Sequence, residues 1–264
     1  MTATVEIETV LNGSITVLKK AYHTTPFKIA DITEDKKSKQ LQLMLMSSSP
    51  GILDADRYNI KIAVDKNCSL RLHSQSYQRL FTMKETATQQ MDVHLSGNAS
   101  FCYIPHPIVP HKRSSFMATN RFYLSTGCSL LFGEILTCGR KLNGEIFLFT
   151  KYHTITEIFL NNKLIIKENL LITPSTINVT AIGQLENYTH QASLVYLNEN
   201  ADIKELIEMI GGHLSLQNEI DFGITASPAN GLIIRILGQK AELLFDCLNN
   251  IANSLEQANM SKTF

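Results

Sequence analysis

Tyr58-Asn59-Ile60-Lys61-Ile62-Ala63-Val64-Asp65-Lys66-Asn67-Cys68-Ser69-Leu70-Arg71-Leu72-His73 reads as two strands and a turn. Tyr58, Ile60, Ile62 and Val64 stand opposite Arg57, Asn59 and Lys61; Cys68, Leu70 and Leu72 alternate with Ser69, Arg71 and His73. A period of two puts one set on a buried face and the other towards water. Asp65-Lys66-Asn67 supplies the turn chemistry between them.

The pattern repeats outward in both directions. Val5, Ile7 and Thr9 alternate with Glu6, Glu8 and Val10; after Asn12-Gly13, Ile15, Val17 and Lys19 alternate again, a hairpin signal. Thr25-Pro26-Phe27 breaks the pattern, and Asp31 to Lys39 is charged and reads as an exposed loop. Leu41, Leu43 and Leu45 alternate, as do Met91, Val93 and Leu95 before the turn at Gly97-Asn98. Tyr152 to Phe159, Leu164 to Leu170, Ala181 to Leu197, Phe222 to Ala226 and Leu232 to Leu237 also read as strands. Short strands punctuated by turns predict a mainly β protein.

Two helices are expected, both near the C-terminus. Ile203, Leu206, Ile207 and Ile210 keep helical spacing, with Asp202 as N-cap and Gly211-Gly212 as the stop. Ala241, Leu244, Phe245, Leu248, Ile251, Ala252 and Leu255 form one apolar face of a closing helix, expected to pack on the sheet. With no clean linker and no repeat, residues 1–264 are expected to form a single domain.

Composition narrows the function classes. The 264 residues carry 24 basic and 24 acidic side chains, a balance that points away from nucleic acid and anionic membranes. Charged residues are only 18% of the chain, so part of its surface is expected to be covered by other proteins. No stretch approaches the ~20 apolar residues that span a bilayer, and Met1 to Glu6 shows no leader pattern. The five cysteines, with no CxxC, point to reduced thiols in the cytoplasm.

Charge inside apolar β runs marks the candidate chemistry. Gly133 to Phe147 holds Glu134, Arg140 and Glu145 between Leu130-Leu131-Phe132 and Leu148-Phe149. Gly139 and Gly144 suggest two strands meeting at a bend, with the three charges close together. Arg140 would then hold both glutamates ionised, which suits a salt bridge better than an acid–base pair. Glu168 is a further charge between apolar runs. In Phe101 to Phe116, prolines 105, 107 and 110 predict a stiff extended segment on an edge or surface. Its His106 and His111, near Cys102, could contact a soft or borderline metal, although their spacing matches no closed zinc motif. No phosphate loop, nucleophile elbow, zinc-protease helix or dinucleotide fingerprint occurs.

Five stretches, in order, resemble one family. Gly133-Glu134…Gly139-Arg140…Gly144-Glu145-Ile146-Phe147 resembles the core motif of the urease accessory proteins called UreD, or UreH in some bacteria. Ser49-Pro50-Gly51…Asp56, Ser74-Gln75-Ser76, Ile104 to Pro110 and Gly223 to Leu244 resemble four further segments, so the likeness spans about residues 25 to 250. Ala55 stands where the family usually has glycine, and His111 where it usually has phenylalanine.

The resemblance implies a mostly β fold of two stacked sheets in a helicoid arrangement with a little helix. It implies a scaffold, not an enzyme, that binds apo-urease and a UreF-type protein, which in turn docks the UreG-type GTPase. No tightly bound cofactor is expected; nickel would be in transit through an internal passage. Asp56, Glu134, Glu145, Glu168 and His106 are the candidate path residues, with Asp56 and Glu168 the best match to the family's passage acids. Arg140 would be a structural partner. The proline-rich segment and the closing helix are possible docking surfaces for UreF or urease. The alternatives are a pure assembly chaperone, or a β-sheet hydrolase using Glu134 and Glu145.

Overall fold

Period-two runs become strands that the chain lays down as a winding. The computed structural model describes residues 1–261. In chain order the first strands are β1 (Thr2–Asn12), β2 (Ile15–His23), β3 (Phe27–Asp31), β4 (Gln40–Ser47), β5 (Arg57–Val64) and β6 (Ser69–Ser74). Next come β7 (Gln78–Leu80), β8 (Ala87–Leu95), β9 (Ser100–Tyr103), β10 (Ile108–Pro110), β11 (Ser115–Leu124) and β12 (Ser129–Thr137). The remainder is β13 (Lys151–Leu160), β14 (Lys163–Ile172), β15 (His190–Asn198), α1 (Ile203–Ser215), β16 (Ile220–Ala226), β17 (Gly231–Gly238) and α2 (Ala241–Ser261).

The strands sort into two sheets. One is seven-stranded, in the order β14-β13-β11-β8-β5-β1-β2. The other runs β16-β17-β15-β12-β9-β6-β4-β3, with β7 and β10 paired beside β12. From β4 onward the chain crosses repeatedly between them: β5, β8, β11 and β13 join the first sheet while β6, β9 and β12 join the second. Each new strand lies parallel to its predecessor in its own sheet. Parallel neighbours need a crossover, and here the crossover is a strand of the opposite sheet. This is the two-layer helicoid that the resemblance implies. Antiparallel pairs finish its ends, among them the β1–β2 hairpin around Asn12-Gly13.

The inward rows build the core. Val5, Ile7, Ile60, Ile62, Val93 and Phe122 meet Leu43, Leu70, Leu72, Phe101, Leu130 and Phe132 between the sheets. A second apolar layer covers the outer face of the second sheet. There Leu206, Ile210 and Leu214 of α1 and Leu244, Leu248, Ile251 and Leu255 of α2 pack on Leu131, Ile135, Leu194 and Ile234. This double burial makes β12 read apolar on both faces. The outer face of the first sheet is wet. Across six neighbouring strands Glu6, Lys61, Asp92, Arg121, Glu157 and Lys167 stand side by side with alternating sign, an arrangement that favours this register over a slipped one.

Four expectations need correction. Gly211-Gly212 do not end α1; its buried stripe carries on through Leu214 and the helix reaches Ser215. Packing of Leu214 outweighs the low helix propensity of two glycines. The run from Ala181 is a strand only from His190; turns fill the preceding residues. After Thr137 there is no second strand through Glu145–Phe149, but a single 3-10 turn at Lys141–Asn143 closed by left-handed Gly144. The proline-rich segment is not an edge: β10 lies between β7 and β12, and is kept to three residues. Asp202 caps α1 as expected, accepting a bond from the Glu205 N–H at 3.1 Å.

Candidate functional site

The parity of β12 decides where Glu134 points. Leu130, Phe132, Glu134 and Leu136 share the face towards the first sheet, whereas Leu131 and Ile135 face the helices. Glu134 therefore projects between the sheets. Asn120 Nδ2 of β11 donates to Glu134 Oε1 at 3.3 Å and to Thr156 Oγ1 of β13 at 3.3 Å.

Strand register extends this contact into a seam. In the first sheet Asn120, Thr156 and Glu168 are neighbours across β11, β13 and β14. In the second sheet Glu134, Ser193 and Arg235 are neighbours across β12, β15 and β17. The rows join at both ends, through Asn120–Glu134 inside and through Arg235 Nη2 donating to Glu168 Oε1 at 2.6 Å outside. On one side lie Phe122, Ile158, Phe132 and Val195; on the other lie Ala118, Leu170, Leu136 and Leu237. One polar row thus separates two apolar clusters and runs from the interior to the sheet edge.

A cavity of about 120 Å³ adjoins the inner end, walled by Glu134, Asn120, Met91 and Tyr103 and continuing to Tyr58, Ser74 and His106. It has room for several waters and polar walls to hold them. Burial raises the Glu134 carboxyl to about 7, the negative charge of Glu168 adds to the rise, and the Asn120 bond opposes it.

The other candidate acids are satisfied locally. Arg140 does not join Glu134. It pairs with Glu145 at the surface, Nε to Oε2 at 2.9 Å and Nη2 to Oε1, and Glu145 also accepts the Lys112 N–H at 3.1 Å. Arg140 holds the Glu145 carboxyl down to about 2. The expected common cluster of Glu134, Arg140 and Glu145 is overturned, because the chain leaves β12 before it reaches Arg140. The two glutamates have different partners: Asn120 for Glu134, and Arg140 and the Lys112 N–H for Glu145. Asp56, only 2% exposed, accepts bonds from the N-terminal amine at 3.0 Å, the Leu53 N–H at 2.9 Å and the Tyr58 hydroxyl at 3.1 Å. It sits behind Tyr58, which lines the cavity. Ala55 before it has a φ of +58°, the left-handed region that glycine tolerates best.

His106 lies on the cavity wall. Its Nδ1 is 2.8 Å from Ser74 Oγ and its ring stacks on Phe245 of α2 at 4.5 Å. His111 packs against Phe81 instead, with ring centroids 4.8 Å apart. Burial pushes the Cys102 thiol up to about 12, so it stays protonated. Among the described residues no group of three or more His, Cys, Asp or Glu could hold a metal, and the loose Cys102–His106–His111 site is not formed. All five cysteines are free and buried. Among the described residues no helix is long and apolar enough to cross a membrane.

Sequence reasoning singled out Glu134 and Glu168 but missed the residues that connect them. Asn120, Thr156, Ser193 and Arg235 were legible as polar side chains at inward parity in otherwise apolar strands, once the parity of each strand was fixed by its neighbours.

Comparison with known proteins bears on this site. The family model described as UreD urease accessory protein matches residues 1–263. The chain is similar to the urease accessory protein UreD of Flavobacterium johnsoniae, 49% identical over 239 residues that cover 90% of this chain and 86% of that one. It is 34% identical over 241 residues to the UreD of Acetivibrio thermocellus, covering 91% and 92% of the two chains. It is 32% identical over 269 residues to a UreD of Haemophilus influenzae, covering 97% and 99%. A whole-length family match and relatives of this identity lead to one conclusion: the chain belongs to the UreD family of urease accessory proteins.

Proposed function

We propose that this chain is a cytoplasmic urease maturation factor. It holds apo-urease together with a UreF-type protein and, through it, a UreG-type GTPase, and it helps deliver nickel through the inter-sheet cavity and seam. The observation that carries this reading is Glu134, a carboxyl at the junction of a cavity with room for several waters and a polar row that reaches the surface. Nickel as a divalent ion takes carboxylate, imidazole and water ligands. A conduit needs sites that bind and then release, which single spaced groups provide better than a closed cage. Asp56, Glu145 and Arg140 then serve the architecture around the passage, and His106 and Glu168 stand along it.

The test measures assembly and metal separately. Glu134→Gln keeps the side-chain shape and removes the charge. Co-purification with the UreF-type partner and apo-urease is expected to survive, while urease nickel content, read by atomic absorption, falls several-fold. Normal assembly with an unchanged nickel content would sink the conduit. A pure assembly chaperone is the second reading, favoured by the local partners of Asp56, Glu145 and Glu168. In that case Asp56→Ala and Glu168→Ala shift only the melting temperature.

A further inference from the structure

The outer end of the seam is occupied by a side chain that carries the same charge sign as the cargo. Arg235 Nη2 reaches Glu168 Oε1 at 2.6 Å and joins the two sheets there. The partners differ in freedom: the Arg235 side chain is 55% exposed, the Glu168 side chain 17%. Across the last strand pair Arg235 stands next to Gly223, and a Cβ built there would meet nothing within 4 Å. The guanidinium therefore has open space beside it, while the carboxylate is the more buried partner, on the strand row that runs to Thr156 and Asn120.

We propose that Arg235 is a tethered cation that closes the seam at the β14–β17 edge and swings out when a divalent ion takes its place on Glu168. This rests on the passage reading above and names the residue that regulates it. Like charges in one narrow row repel, so an ion between Glu134 and Glu168 and a docked guanidinium exclude each other. A half-exposed ion pair is weak and screened by solvent, so releasing it is cheap. Arginine suits the role because it never loses its charge and leaves without any change of pH. In the resting protein it keeps Glu168 from collecting stray cations.

The experiment is equilibrium dialysis of Ni²⁺ alone against the full chain, co-purified with its accessory partners. Arg235→Gln is expected to tighten Ni²⁺ binding by about threefold or more, because Glu168 is left unpaired. Arg235→Lys keeps the charge and is expected to bind like the native protein. The double variant Arg235→Gln with Glu168→Gln is expected to bind no more tightly than the native protein. Unchanged binding in Arg235→Gln, or tight binding retained in the double variant, overturns the gate. The passage is tested apart by Glu134→Gln. A loss of urease nickel there, with no change in Ni²⁺ binding in Arg235→Gln, overturns the gate and spares the passage. An unchanged urease nickel content in Glu134→Gln overturns both.

Discussion

Glu134 makes a sharp pH prediction. Its carboxyl titrates at about 7 in the folded protein against an ordinary value of 4.5. Between those values the folded chain binds more protons than the unfolded one, so this group's contribution to stability falls as pH rises. Glu134→Gln should match the native protein in acid, and melt higher than it on the alkaline side of neutral, by up to about 3 kcal/mol. Parallel melts across that range check it; a gap independent of pH would contradict the buried, loosely protonated acid. Glu145 behaves oppositely. Its pKa is lowered by Arg140, so its contribution is present above 4.5 and is lost as pH falls towards about 2. Because Arg140 is well exposed, Arg140→Ala should leave a neutral melt nearly unchanged. Ala55 offers a gain: with φ at +58°, Ala55→Gly should stabilise by about 1 kcal/mol in chemical denaturation. The departure from the family's usual glycine was visible in the sequence; its physical meaning needed the backbone. Likewise Glu134 could be flagged as a stranded charge, but pairing it with Arg140 followed from closeness along the chain. Spatial neighbours in a wound sheet come from other coils, and no local spacing encodes them.

At the scale of elements, β12 and α2 depend on each other. A Cβ on Gly133 would lie 3.0 Å from Leu248 Cδ1 and 3.3 Å from Ile104 Cγ1. Gly133→Val should therefore push α2 off its seat and cost about 1–3 kcal/mol, read as a lower denaturant midpoint with the slope unchanged. An unshifted midpoint would mean that the helix is not closely packed there. The closing helix was legible because its stripe keeps the 3.6 period across many residues. The end of α1 was not, because two glycines look like a stop until the burial of Leu214 is known. The false strand at Glu145–Phe149 failed for a related reason: apolar residues in a surface turn look like a strand when read alone.

For the whole molecule, the sheets are linked at every coil, so damage in one place should be felt throughout. Leu70, fully buried between the sheets, is a fair probe: Leu70→Ala should cost about 2–5 kcal/mol. Far-ultraviolet dichroism and tyrosine fluorescence should move together in a single transition. Separate transitions would show that the sheets melt independently. The mainly β class and two C-terminal helices could be read from periodicity. The helicoid order could not, since alternation fixes which residues face inward but not which strand lies beside which; that came from the family likeness.

The winding has one more consequence. In the first sheet β5, β8, β11 and β13 each lie against the strand laid down one coil earlier, as β6, β9 and β12 do in the second. A nascent chain leaving the ribosome therefore finds each pairing partner already synthesised upstream, and can grow like rope coiled onto a deck. Strand β12 must wait, because its antiparallel neighbour β15 and the covering helix α2 come later in the chain. Until then its apolar outer face stays bare, and translation of the C-terminal third is the interval in which this protein most needs a companion.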